Sequence, residues 1–190
     1  MSLARDNATY FPYIGGALVL AGIVHIASVL AMPRLAAKDA FARIVELAPL
    51  NELTLLPRPT PGNEPIAMAD PAVATAVCRY NLAQAPFRIS VGVNSDSLLS
   101  ISFHDRYGHV FYALTDRAAV RGQIEAVVVN AAQKDALEAD DSEDGPGPDL
   151  RLLTVQQQGF VFLRALAEQP GDYEQAQQTL KNVRCGPDGN

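Results

Sequence analysis

The densest group of side chains that could perform chemistry lies between residues 104 and 117. It contains two histidines, two aspartates and two arginines: His104, Asp105, Arg106, His109, Asp116 and Arg117. The two imidazoles flank a turn and could face one another with the first aspartate in reach, and such a set can ligate zinc or perform acid–base catalysis. Charged residues in turns more often serve solubility or pair locally. The segment therefore predicts a binding surface, with no catalytic residue, metal site or cofactor.

The composition of the chain argues against some classes of binding partner. The formal net charge is −6, whereas binding to nucleic acid requires a basic surface. The chain contains no Walker, dinucleotide-binding, Gly-x-Ser-x-Gly or Cys-x-x-Cys motif. We therefore expect neither nucleic acid nor a nucleotide cofactor as a ligand.

Short β-strands must position the polar group. From residue 72 onward, runs of about five to eight residues rich in Val, Ile, Phe and Tyr are separated by turn residues. This spacing predicts a mainly β fold, an antiparallel β-sandwich or jelly roll. Residues 170–183 predict a closing C-terminal helix, and the acidic run Glu138–Asp144 predicts an exposed loop.

The N-terminal region predicts a membrane anchor. Residues 13–32 contain no Asp, Glu, Lys or Arg, and a helix of about 20 residues spans a bilayer core. The alternative is a cleaved signal peptide, whose apolar core is usually shorter. Around this span, residues 1–12 form a flank, residues 33–71 an amphipathic and proline-rich connector, and residues 72–190 the β-rich domain.

One face of the predicted anchor combines small and polar residues. Ala17, Ala21, His25 and Ser28 follow one another at helical spacing. Small residues let a second helix approach closely, and His and Ser can hydrogen-bond across the contact. The stripe predicts a helix-packing face. The alternative is a neutral His25 that bonds to its own helix.

The two cysteines indicate the cellular compartment in which the domain lies. Cys78 lies in the first predicted strand of the domain and Cys185 follows the last predicted helix. In an exported domain, two cysteines near opposite ends are candidates for a disulfide. The alternative is a buried free Cys78 and an unpaired Cys185 in the tail.

The motifs of this chain, taken in order, resemble those of a known protein family. An N-terminal helix containing Val-His-Ile precedes MPRLAAKDAFARI, LPRPTPGNEP, DPAVATAVCRYNL, SISFHDRYGHVFYALTDRAAVRG and a C-terminal VRCGP. This pattern resembles the DUF1254 family, and it is most similar to the short, membrane-anchored DUF1254 proteins of alphaproteobacteria. Longer relatives join this unit to a DUF1214 unit. The resemblance therefore implies a β-sandwich-like fold and a separate DUF1214-type membrane partner, and it implies no catalytic residue.

The sequence gives conflicting indications of the side of the membrane on which the domain lies. Arg34, Lys38 and Arg43 after the span favour a cytoplasmic domain by the positive-inside rule. The cysteine pair and the resemblance favour a periplasmic domain on a single-pass inner-membrane anchor, and we follow them. The expected function is a non-catalytic envelope protein that binds or assembles with a partner. The alternatives are a saccharide-binding sandwich with exposed Tyr107 and Tyr112, or a metal-dependent hydrolase centred on His104 and His109.

Overall fold

The computed structural model describes residues 3–35, 40–66, 68–93, 98–144 and 149–188. The chain divides into two units, Met1–Asp39 and Ala40–Asn190. The first unit contains helix α1, Leu3–Leu35. Its segment Tyr10–Met32 is long and apolar enough to cross a membrane, and the predicted span lies within it.

The second unit contains two β-sheets in the described part of the chain. Its elements, in chain order, are α2 (Ala40–Leu47), β1 (Leu53–Leu55), β2 (Val73–Asn81), β3 (Phe87–Gly92), β4 (Leu99–Asp105), β5 (Val110–Thr115), β6 (Gln123–Val129), α3 (Ala131–Asp144), β7 (Leu150–Leu153), β8 (Gln158–Leu166), α4 (Tyr173–Lys181) and β9 (Arg184–Pro187). One sheet has the order β1-β2-β8-β4-β5 and the other the order β7-β6-β3-β9. The pairing is antiparallel except between β6 and β7. The predicted mainly β sandwich with a C-terminal helix is confirmed.

The main core lies between the two sheets. Strand residues alternate between the faces of a sheet, so Ile101 and Phe103 of β4 point inward, where they join Ile89 of β3 and Val128 of β6 in one buried cluster. His104 and the other even-numbered residues of β4 are only partly buried, on the outer face. The alternation read from the sequence therefore separates core from surface correctly in this strand.

A second cluster covers part of the outer face of the five-stranded sheet. Phe41 and Ile44 of α2 pack against Phe160 and Phe162 of β8. Arg79 of β2 adds a polar contact, because its Nη1 donates to the carbonyl oxygen of Ala48 at 2.8 Å, just after the helix. The predicted connector, residues 33–71, thus contributes both α2 and the edge strand β1 to the second unit.

The acidic run 138–144 belongs to helix α3, so the prediction of a loop there is wrong. The helix begins with a reciprocal cap, in which Gln133 N donates to Asn130 Oδ1 and Asn130 N donates to Gln133 Oε1. An ion pair between Lys134 and Glu138, one turn apart, supports the next turn. Local pairing of this kind stabilises a helix despite the concentration of negative charge.

Candidate functional site

His104 lies on the outer face of the five-stranded sheet and is held by two hydrogen bonds. Its Nδ1 lies 3.1 Å from the carbonyl oxygen of Gly108, and its Nε2 lies 2.9 Å from Ser102 Oγ. Because a carbonyl only accepts, Nδ1 carries the proton and Nε2 accepts from the serine hydroxyl. The ring also stacks on Phe160, with centroids 4.8 Å apart. His104 is thus fixed in one tautomer and one orientation.

The surroundings of His104 favour its neutral form. Burial lowers the pKa of the imidazole, and the nearby charge of Arg164 lowers it further. Arg164 Nη1 also lies 3.3 Å from Ser102 Oγ, which accepts from the guanidinium while donating to the imidazole. These three side chains form a satisfied polar network over the sheet.

Asp105 organises the β4–β5 turn rather than joining His104. Its Oδ1 accepts from the backbone N–H groups of Tyr107 and His109, at 2.8 and 2.9 Å. Its Oδ2 lies 3.1 Å from His109 Nδ1. The two histidines therefore bind different partners, and among the described residues no group of three His, Cys, Asp or Glu side chains is placed to hold a metal.

The other predicted binding residues are separated in the structure. The Arg106 guanidinium lies over the rings of Phe41 and Tyr107, at 5.6 and 5.9 Å from their centroids. Asp116 and Arg117 begin a short 3-10 turn after β5. Within the described residues, neither of them forms an ion pair or a side-chain hydrogen bond.

The remaining predicted residues fall into two places. Ala17, Ala21, His25 and Ser28 lie in α1, where the hydroxyl of Ser28 donates to the carbonyl oxygen of Val24 at 2.8 Å. Cys78 and Cys185 are brought together as a disulfide, with Cα atoms 6.5 Å apart. The bridge links β2 of one sheet to β9 of the other.

Strand β5 is a sheet edge whose own residues carry no charge or proline, although its pairing with β4 shifts register between Phe103 and His104. Natural proteins keep edge strands short, or place charges or proline in them, so that the free backbone does not pair with another chain. The other three edges follow this rule: β1 has three residues, β7 has four including Arg151, and β9 contains Arg184 and Pro187. In contrast, β5 has six residues, VFYALT, without charge, proline or glycine.

The apolar character of β5 extends over its exposed surface. Val110 is 55% exposed and Tyr112 is 38% exposed. Among the described residues, no strand pairs with the side of β5 that faces away from β4. The edge therefore offers backbone donors and acceptors together with apolar side chains, which are the two requirements for adding a strand.

A cleft of about 400 Å³ lies beside this edge, between the two sheets. Leu114 of β5, Ile124 of β6 and Leu150 of β7 supply apolar lining, while Arg121, Gln123 and Glu125 supply polar lining. The carboxylate of Glu125 is paired with Arg88, whose Nη1 lies 3.6 Å away. We call β5 and this cleft together the open edge.

The residue range of the open edge lies inside a family match. A family model described as "Protein of unknown function (DUF1254)" matches residues 50–187, which include every strand of both sheets. The chain belongs to the DUF1254 family. No curated protein matches this DUF1254 chain.

Among solved structures similar to the DUF1254 chain, one bears on its fold and on nothing further. The VPA0106 protein from Vibrio parahaemolyticus superposes with a TM-score of 0.53 at 13% identity, covering 77% of this chain and 32% of that one. A putative uncharacterized protein from Burkholderia cenocepacia gives a TM-score of 0.40 at 16% identity, covering 70% of this chain and 33% of that one. The DUF1254 chain thus spans about a third of the length of either protein.

The residues that surround the predicted site of this DUF1254 chain differ in how far local sequence reveals them. Ser102 was recognisable, because it shares a strand face with His104. Arg164 was not, because only the pairing of β4 with β8 brings it near. The open edge was also missed, since the position of a strand in a sheet depends on long-range pairing that local pattern does not encode.

Proposed function

We propose that this DUF1254 protein is a membrane-anchored envelope module that binds a partner protein and performs no catalysis itself. The observation that carries the proposal is the open edge. A six-residue apolar edge strand with no protective charge invites pairing with another chain. A protein that keeps such an edge remains soluble most easily when a specific partner covers it.

The polar network on the outer face gives less support to an enzyme. His104 is satisfied by Gly108 and Ser102, and His109 is engaged by Asp105. The hydrolase alternative requires the two histidines to act on one metal or substrate, and these contacts hold them apart. Tyr107 and Tyr112 are both exposed, and the saccharide alternative rests on that exposure alone.

The anchor and the disulfide support a periplasmic domain. Segment Tyr10–Met32 meets the length and apolarity of a bilayer span, and we propose that its residues 13–32 contact lipid in the inner membrane. Disulfides persist in oxidising compartments and are rare in the cytosol. The bridge between Cys78 and Cys185 therefore favours an exported domain over the cytoplasmic one that the flanking Arg34 and Lys38 suggest.

The partner that we propose is a DUF1214-type membrane protein. Longer relatives that this sequence resembles carry a DUF1214 unit on the same chain. The protein proposed here would meet that unit as a separate chain, held in the same membrane. The net charge of −6 supports a protein partner over nucleic acid.

Co-purification from solubilised membranes tests the proposal. The wild-type chain should retain a stoichiometric membrane protein with a DUF1214 unit. Val110→Lys places a charge on the exposed edge and should reduce the recovered partner at least about tenfold. Met68→Lys is the matched control, because Met68 is 94% exposed and lies outside the open edge. Recovery of no partner by wild type, or equal recovery by both variants, would contradict the proposal.

A further inference from the structure

We infer that the partner binds by adding an extended segment as a strand along β5, with an acidic side chain against Arg121 and an apolar side chain in the cleft. This inference rests on the proposed function and specifies the chemistry of its binding segment. Three independent features of the open edge define that chemistry: the free backbone, the apolar lining and an arginine that pairs with no carboxylate in the described part of the chain.

The free backbone of β5 selects an extended segment. A helix satisfies its own backbone groups and therefore gains little from an unpaired strand. An extended segment supplies N–H and C=O groups at the repeat of the strand and satisfies both chains at once. Because β5 ends its sheet, the added segment would become the sixth strand of that sheet.

The cleft selects apolar side chains on one face of the added strand. Side chains of a strand alternate between the two faces of its sheet. On β5, Leu114 packs against the main core and lines the cleft. Ile124 and Leu150 line the same cleft. A neighbouring strand would direct every second side chain into the same space, where burial of apolar surface stabilises the complex.

Arg121 selects an acidic residue. It lies in the turn that joins the two sheets, where Val120 and Gln123 exchange backbone hydrogen bonds of 2.8 and 3.1 Å. Arg121 forms no ion pair with any carboxylate that the structure describes. A carboxylate on the added strand would supply the missing charge and could accept a charge-assisted hydrogen bond.

The backbone of Arg121 determines which substitution can test its side chain. Its φ is 54°, in the left-handed region, and Gly122 follows with a φ of 76°. Residues with a Cβ adopt this conformation infrequently, although Asn51 and Met68 do so as well, with φ of 61° and 58°. Asn suits such a turn, so Arg121→Asn removes the guanidinium without disturbing the backbone.

Synthetic peptides provide the test, with the full chain in detergent micelles and fluorescence anisotropy as the readout. The probes are ten-residue peptides that alternate Val and Ser and carry one central Glu, Gln or Lys. Two further Glu peptides are N-methylated, one at odd positions and one at even positions. Since only alternate N–H groups of an added strand face its neighbour, one methylation pattern should abolish binding and the other should not.

We expect the Glu peptide to bind about tenfold more tightly than the Gln peptide, and the Lys peptide to bind most weakly. Arg121→Asn keeps the left-handed turn but removes the charge, so it should abolish the preference for Glu while retaining the Gln peptide. Arg121→Lys should keep the preference. Arg184→Asn makes the same charge change on the edge strand β9 and should leave the preference unaltered.

Four results would overturn the inference: no peptide binds, both methylation patterns act equally, the preference for Glu survives Arg121→Asn, or the chain forms a dimer that buries β5 and excludes the peptides. If a membrane partner still co-purifies while the peptides fail, strand addition is wrong and the proposed function stands. If the peptides bind as expected and no membrane partner co-purifies, strand addition holds and the proposed function fails.

Discussion

Cys78 of β2 and Cys185 of β9 form a disulfide that joins the five-stranded sheet to the four-stranded sheet. β9 is the edge of its sheet opposite β7, and β2 lies next to the edge strand β1. The bridge therefore closes the side of the sandwich that lies away from β5. On one side of the sandwich the disulfide links the two sheets, and on the other side lies the open edge.

Replacing the two cysteines with alanine should lower the free energy of unfolding by about 4 kcal/mol. The bridge closes a loop of 107 residues, and in the chain-entropy model a crosslink over so long a loop restricts the unfolded chain strongly. Urea denaturation of both proteins, with and without reductant, measures the difference. Labelling of two thiols in the denatured, unreduced wild-type protein would show that the bridge is absent.

The stability of the domain should fall as the pH drops from 7.5 to 5.5. The pKa of His104 is lowered from 6.5 in the folded protein, so the unfolded chain binds more protons below that pH and unfolding becomes easier. Above pH 6.5 this contribution is fully present. Urea denaturation across the interval measures the slope.

Variants of the two histidines test whether His104 causes this pH dependence of stability or whether other titrating groups do. His104→Gln should flatten the slope, and it should cost about 1 kcal/mol at pH 7.5 through the lost hydrogen bonds. His109→Gln is the matched control, because the side chain of His109 is 78% exposed, and it should retain the slope. A slope that survives His104→Gln would assign the pH dependence to other groups.

Much of the fold follows from local pattern. Alternating burial places Ile101 and Phe103 in the core, and the C-terminal amphipathic run forms α4. What local pattern misses are elements whose stability depends on distant partners. β1 has three residues and forms only because it pairs with β2, and β9 forms against β3 beside the bridge.

The candidate site was predicted less well, for a related reason. The sequence places His104, Asp105 and His109 close together, and proximity in a turn suggests a common function. The structure gives His104 different partners from the other two, because neighbouring residues of a strand point to opposite faces. Asp105 stays beside His109, at 3.1 Å, and its carboxylate also satisfies the backbone of the turn. The property that marks the open edge, an unpaired side of β5, becomes visible only once the order of strands is known.

The stripe on α1 should mediate contact with a second helix. Ala21→Leu would block close approach without reducing hydrophobicity, and His25→Leu would remove a hydrogen bond worth about 1 kcal/mol in a membrane. Crosslinking in membranes should show less association for both variants than for Leu20→Ala, a change outside the stripe. Equal crosslinking by all three variants would show that the stripe does not mediate helix packing and that the helix serves only as an anchor.

The domain should lie on the periplasmic side of its membrane. A reporter that is active only after export should be active when fused to the C terminus, and a reporter that requires the cytoplasm should be silent. This result follows if the disulfide reports an oxidising compartment. The reverse pattern would show that Arg34 and Lys38 determine the orientation, and it would place Cys78 and Cys185 in a reducing environment.

Hydrogen exchange at β5 tests the central claim most directly. Amides of Val110–Thr115 that lack a partner in the isolated chain should exchange quickly, and in the complex purified from membranes they should exchange at least about tenfold more slowly. Exchange at β9, the edge beside the disulfide, should be the same in both samples. Unchanged exchange at β5, or protection that appears at β9 instead, would contradict the account of the open edge as the binding surface.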